Sequence, residues 1–178
     1  RQLTTSPDGK QVAFNAAGYV YIKTLPDGIP ARIDSTADFE YEPQFSPDGK
    51  SLIYVDWNDE LKGSINKIDL TTHFVTRLTP EKGLYYSPKF SNKGDKIVFR
   101  KGEGNDLLGY SFGKNPWIYM MPVTGGTVKM IIDNGIRPQF STDDSKIYYQ
   151  SSEGDKKTFR MMDTTGANKK TLYTSTYT

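Results

Sequence analysis

Cysteine is absent from the 178 residues, which excludes disulfide bridges and thiol nucleophiles and leaves open whether the chain works in the cytoplasm or the periplasm. Histidine occurs once, at His73, too few for a metal centre built from several imidazoles and a thin basis for a serine–histidine–aspartate relay. Neither sign of charge dominates: 23 basic and 21 acidic residues give a net charge of +2, with no basic stripe to follow a phosphate backbone, so nucleic acid is not an expected partner. No apolar run approaches the roughly 18 residues that span a bilayer, and no signal peptide is visible. No window holds a helical period, so the chain reads as all-β. It begins with Arg1 inside a strand pattern, the expectation for a processed or truncated segment.

What the chain has instead is repetition. Ser6-Pro7-Asp8-Gly9-Lys10 returns as Ser46-Pro47-Asp48-Gly49-Lys50, then more loosely as Ser91-Asn92-Lys93-Gly94-Asp95 and Ser141-Thr142-Asp143-Asp144-Ser145. Six residues after each serine stands Val12, Leu52, Ile97 or Ile147, and eight after it Phe14, Tyr54, Phe99 or Tyr149. That alternation predicts a strand with a buried face. Phe45, Phe90 and Phe140 precede three of the serines, each with a proline two residues earlier, so a strand enters the corner as well as leaves it. Proline, aspartate and glycine are turn formers for separate physical reasons, and the third and fourth copies, which lose the proline, are expected to turn more weakly.

The serines are 40, 45 and 50 residues apart, the spacing of propeller blades. Two further strands follow each hairpin: 18–25 and 31–34, 64–70 and 75–78, 117–123 and 128–132, 158–162 and 169–173. The expectation is a β-propeller segment of four four-stranded blades, approximately 1–36, 37–80, 81–134 and 135–178, in one domain. Every unit starts at its innermost strand, so the four are expected to form an arc of a larger six- to eight-bladed ring, or two arcs pair; a closed ring of four blades is the alternative. Exposed terminal blades then invite self-association.

These phrases resemble the TolB-like (PD40, WD40-like) propeller repeat, which also occurs in propellers of prolyl-oligopeptidase and tricorn-type proteases. Phe39 to Glu60 and Gly83 to Gly104 are similar to the N-terminal propeller of bacterial amidohydrolases. The resemblance implies a non-catalytic domain for binding, docking or substrate gating in a larger hydrolase, with any metal ion held by a separate catalytic domain and no cofactor in this segment. It equally implies a free-standing protein-binding module of the cell envelope. Either is expected to be periplasmic or secreted. A WD40 assignment fits worse, because no Trp-Asp dipeptide occurs.

Two sets of residues are candidates for recognition. In a four-stranded meander the middle loop and the link to the next blade lie at the end opposite the serine corners. There Trp57, Asp59, Glu60, Asp106, Tyr110, Phe112 and Trp117 form a possible partner face. Four residues before each serine stand Gln2, Glu42, Ser87 and Arg137, which period-two alternation turns toward the central channel. Glu42 and Arg137 either hold an ion or small polar ligand or pair with neighbours and channel water. The stretch from Gly102 to Lys114 lacks the Lys-Ser/Thr ending of a phosphate loop. The acidic runs 56–60 and 143–144 lack calcium-loop spacing, and His73 reads as an exposed turn residue.

Overall fold

The computed structural model describes residues 2–60, 62–102 and 117–176. They form four antiparallel sheets, each a four-stranded meander in chain order. The first contains β1 (Leu3–Thr5), β2 (Gln11–Ala16), β3 (Tyr19–Thr24) and β4 (Ala31–Arg32). The second contains β5 (Phe39–Phe45), β6 (Ser51–Asn58), β7 (Lys62–Asp69) and β8 (Val75–Arg77). The third contains β9 (Leu84–Phe90), β10 (Lys96–Gly102), β11 (Trp117–Pro122) and β12 (Lys129–Ile132). The fourth contains β13 (Ile136–Phe140), β14 (Lys146–Glu153), β15 (Lys156–Asp163) and β16 (Lys170–Thr176).

Each sheet begins with a hairpin closed by its serine. The Oγ of Ser6, Ser46, Ser91 and Ser141 accepts the N–H of the residue five positions on, at 2.9, 2.9, 3.1 and 2.9 Å. The same hydroxyl donates to a carboxylate at 2.6–2.8 Å: Asp8, Asp48, Asp95 or Asp143. In the third corner the aspartate has moved two positions along and still reaches the serine. The fourth corner puts Asp144 at φ +60° where the others use glycine. The hydroxyl and carboxylate bonds of the corner survive the loss of proline and glycine.

Successive corners also touch. A Cβ on Gly49 would stand 3.4 Å from Pro7, and one on Gly94 3.4 Å from Pro47, so each proline lies over the next sheet's glycine. Between the third and fourth sheets Asn92 takes the proline's place and Asp144 the glycine's. The Asp144 carboxylate accepts the N–H groups of Asn92 and Lys93 at 2.7 and 2.9 Å and the Asn92 amide at 2.9 Å. Proline has no N–H to give, so the two departures from the repeat are complementary. Asn92→Pro alone is expected to cost about 1–3 kcal/mol by stranding Asp144. Adding Asp144→Gly should recover most of that, a coupling of about 1 kcal/mol in a double-mutant cycle; additive costs would contradict the pairing.

Alternation along the second strand of each sheet sets the stacking. Leu52 and Tyr54 pack on Ala13, Val20 and Ile33 of the first sheet. Ile97 and Phe99 pack on Ile53, Val55 and Ile65 of the second, and Ile147 and Tyr149 on Val98 and Ile118 of the third. All six of these side chains are buried. Val12 and Phe14 present the same pattern with no sheet before them, and Phe14 stacks on Tyr21 of its own sheet, ring centroids 5.9 Å apart. Among the described residues the first and fourth sheets do not touch, so the four blades form an open arc.

Candidate functional site

The innermost strands do not run straight. Each of β5, β9 and β13 slips register against its neighbour, and the extra residues are Glu42-Pro43, Ser87-Pro88 and Arg137-Pro138. Glu42, Ser87 and Arg137 sit at φ +55°, +51° and +52°, the left-handed region that costs a side chain energy. The following proline sacrifices no ladder donor at the bulge. At Glu42 and Ser87 the bulge turns the N–H away from its own sheet, and the preceding sheet receives it. Glu42 N–H donates to Gln2 Oε1 at 2.6 Å, and Ser87 N–H donates to Glu42 Oε2. Gln2 Nε2 also donates to Glu42 Oε1 at 3.1 Å.

Gln2, Glu42 and Ser87 are therefore brought together by direct bonds across three sheets. Arg137 is exposed, and its charge bears on Glu42. Burial pushes the Glu42 carboxyl up, while the Ser87 N–H and the charges of Lys89, Arg100 and Arg137 work against that shift. A pocket of about 280 Å³ opens beside them, lined by Gln2, Glu42, Gln44, Ser87 and Lys89 among others. Burial lowers the Lys89 ammonium, with Glu42 opposing. The Arg100 guanidinium lies 4.7 Å from the Tyr86 ring centroid. Lys89 and Arg100 were missed in the sequence; the spacing of two between Ser87 and Lys89 was the available signal for the first. A wider cleft of about 390 Å³ lies between the second and third corners, but its Ser46, Asp48 and Asn92 are already committed to corner bonds.

At the opposite end, Trp57, Asp59 and Glu60 share the β6–β7 turn. Trp57 Nε1 donates to Asp59 Oδ1 at 3.0 Å, and Glu60 N–H to Asn58 Oδ1 at 2.9 Å. Asn58 ties that turn to the preceding link through Asp38 at 2.7 Å. Trp117 opens β11 with its ring tilted against Tyr119, centroids 6.3 Å apart. Asp106, Tyr110 and Phe112 lie outside the described residues, as does most of Gly102 to Lys114. So does Gly109-Tyr110-Ser111-Phe112-Gly113, which spells the Gly-x-Ser-x-Gly order of a hydrolase nucleophile elbow. His73 is exposed in its turn, its N–H donating to the Asp69 carbonyl at 2.8 Å. The acidic runs serve turns and strands: Asp56 accepts from Ser64 and Asn66, and Asp143, held down at about 2 by Ser141 and Ser145, caps its corner.

A second buried group has no counterpart in the sequence reading. Glu40 is 0% exposed between the first two sheets. Its carboxyl accepts the Val20 N–H at 2.8 Å and the Thr36 hydroxyl at 3.2 Å, and Arg32 approaches at 3.4 Å. Asp34 lies beside it and accepts the Tyr54 hydroxyl at 2.7 Å. Burial, then the proton shared with Asp34, pushes Glu40 up to about 7.

Comparison with known proteins agrees with this architecture. The family model for the TolB beta propeller domain, PD40, matches residues 4–178. TolB from Acinetobacter baumannii superposes with a TM-score of 0.77 at 24% identity, over 99% of this chain and 44% of that one. The putative TolB from Agrobacterium tumefaciens gives 0.63 at 21% identity, over 98% of this chain and 80% of that one. An oligogalacturonate lyase in complex with manganese gives 0.76 at 13% identity, over 97% of this chain and 52% of that one. Identities this low speak to the fold alone, and the chain spans less than half of the Acinetobacter protein.

Proposed function

Because this chain belongs to the PD40 family of TolB β-propeller domains, we propose that it is a non-catalytic recognition domain, which docks or gates substrate for a larger hydrolase. The observation that carries the reading is the channel pocket: a carboxylate fixed by two other sheets beside about 280 Å³ of open space. A polar pocket where several blades converge is suited to binding. The likeness of 39–60 and 83–104 to amidohydrolase propellers supports a metal-dependent amidohydrolase as the host. Any metal ion then belongs to the catalytic domain. Trp57, Asp59, Glu60 and Trp117 offer the docking face, and a periplasmic or secreted location goes with the family. The 99% overlap with a TolB structure favours a second reading, a free-standing module that binds proteins at the envelope.

The parent protein separates these readings. An intact mass well above that of a propeller, with one or two metal ions per chain by elemental analysis and amide hydrolysis confined to the longer protein, is the expected result. A metal-free parent of propeller length favours the envelope module. Ester or amide turnover by these 178 residues, abolished by Ser111→Ala, would overturn the non-catalytic reading.

A further inference from the structure

The charges around the channel pocket do not balance. Glu42 is the carboxylate at its centre, and both of its oxygens are already in use, one by the Gln2 amide and one by the Ser87 N–H. Against it stand three permanent or near-permanent cations from the third and fourth sheets: Lys89 on β9, Arg100 on β10 and Arg137 on β13. Lys89 lines the pocket itself, beside Ser87 and Gln44. Arg100 is spread on the Tyr86 ring with its Nε buried and without a hydrogen-bond partner among the described residues. Arg137 is held in a left-handed bulge at the channel, exposed. One engaged carboxylate cannot neutralise three cations, and a half-buried ammonium is costly until an anion meets it.

We propose that the channel pocket binds a carboxylate, with Lys89 as its ion-pair partner, Arg137 as an attracting charge at the opening, and Ser87 Oγ as a further donor. Glu42 then acts as a positioning residue: it fixes the Ser87 bulge, and its negative charge keeps the pocket from taking up any anion indiscriminately. A pocket of this volume takes a small dicarboxylic acid or the last residues of a peptide, and both present the same chemistry to Lys89. The inference rests on the reading of the chain as a recognition domain and adds to it the chemical class recognised.

The test is calorimetric titration of the full chain with three probes: succinate, a tripeptide with a free terminal carboxylate, and the same tripeptide as its C-terminal amide. The free-acid peptide or succinate is expected to bind and the amide to bind at least about tenfold more weakly, the loss that follows removal of a charge-assisted contact. Preference for the peptide over succinate would make a chain terminus the source, and the reverse a free acid. Lys89→Gln is expected to weaken binding by about tenfold or more and Arg137→Gln by a few-fold, with the salt dependence reduced in both. Arg137 is exposed, so its variant keeps the test valid if Lys89→Gln folds poorly. Equal affinity for acid and amide, or binding unchanged in both variants, or none at millimolar probe, overturns the proposal. Turnover of a probe would instead defeat the recognition reading while leaving the carboxylate site standing.

Discussion

Phe99→Ala is expected to destabilise the chain by about 3–5 kcal/mol, while Phe14→Ala, the same position in the first blade, costs no more than about 1 kcal/mol. Phe99 is fully buried between the second and third sheets, edge-on to Tyr85 at 5.7 Å and stacked on Tyr119 at 6.0 Å. Its removal leaves a cavity that two rigid sheets cannot close. Phe14 occupies the equivalent register, partly buried and stacked on Tyr21, but among the described residues no preceding sheet closes over it, so truncation there leaves no enclosed cavity. Urea denaturation of the two variants reads the difference directly. Equal large losses would mean that something covers the first sheet in solution, either a further blade or a second copy, and the open arc would not describe the molecule as it works.

Stability should fall as pH rises from about 5 to 8, by on the order of 2–3 kcal/mol, and Glu40→Gln should abolish most of that slope. Glu40 titrates near 4.5 when unfolded and about 7 when folded. The folded state therefore holds a proton that the unfolded state has already released. Its contribution is fully present below pH 4.5 and is lost as pH climbs through 7. Asp34, lowered by its bond with Glu40 and the Tyr54 hydroxyl against the cost of burial, acts in the opposite sense but only near and below its ordinary value of 3.8. Glu42 is also raised and adds to the slope in the same direction. Glutamine keeps a donor for Asp34 without the ionisation, so E40Q should be the more stable protein at pH 8. A wild-type slope retained in that variant would show that Glu40 is not the group responsible.

The blade pattern was legible in the sequence because it is written in local chemistry. The apolar residues six and eight positions after each serine are strand positions in contact with the preceding sheet, and any regular alternation reveals them. The inner-strand bulges were not legible. Gln2, Glu42, Ser87 and Arg137 share no residue type, and the left-handed backbone at the last three goes with the register slip, joined at Glu42 and Ser87 by an acceptor on another sheet. The proline that follows three of them was the one shared mark. Asn92 and Asp144 looked like decay of the repeat because their bond joins residues 52 positions apart. Glu40 left no signal at all, since Val20, Arg32, Asp34 and Thr36 reach it from other strands and the links between them. The grouping of Trp57, Asp59 and Glu60 was legible as topology, and the structure brings them into one turn.

The cross-sheet ladder along the inner strands is the feature on which the account of the fold and the proposed recognition both rest, and amide hydrogen exchange at Ser87 tests it most directly. Among the described residues its N–H is received at the bulge by Glu42 Oε2 of the neighbouring blade rather than by its own sheet. In the unaltered chain the Ser87 amide should exchange slowly, and in Glu42→Ala about tenfold or more faster, while core amides such as that of Ile97 change far less. Ser87 exchange that is rapid from the start, or indifferent to the loss of Glu42, would contradict the account.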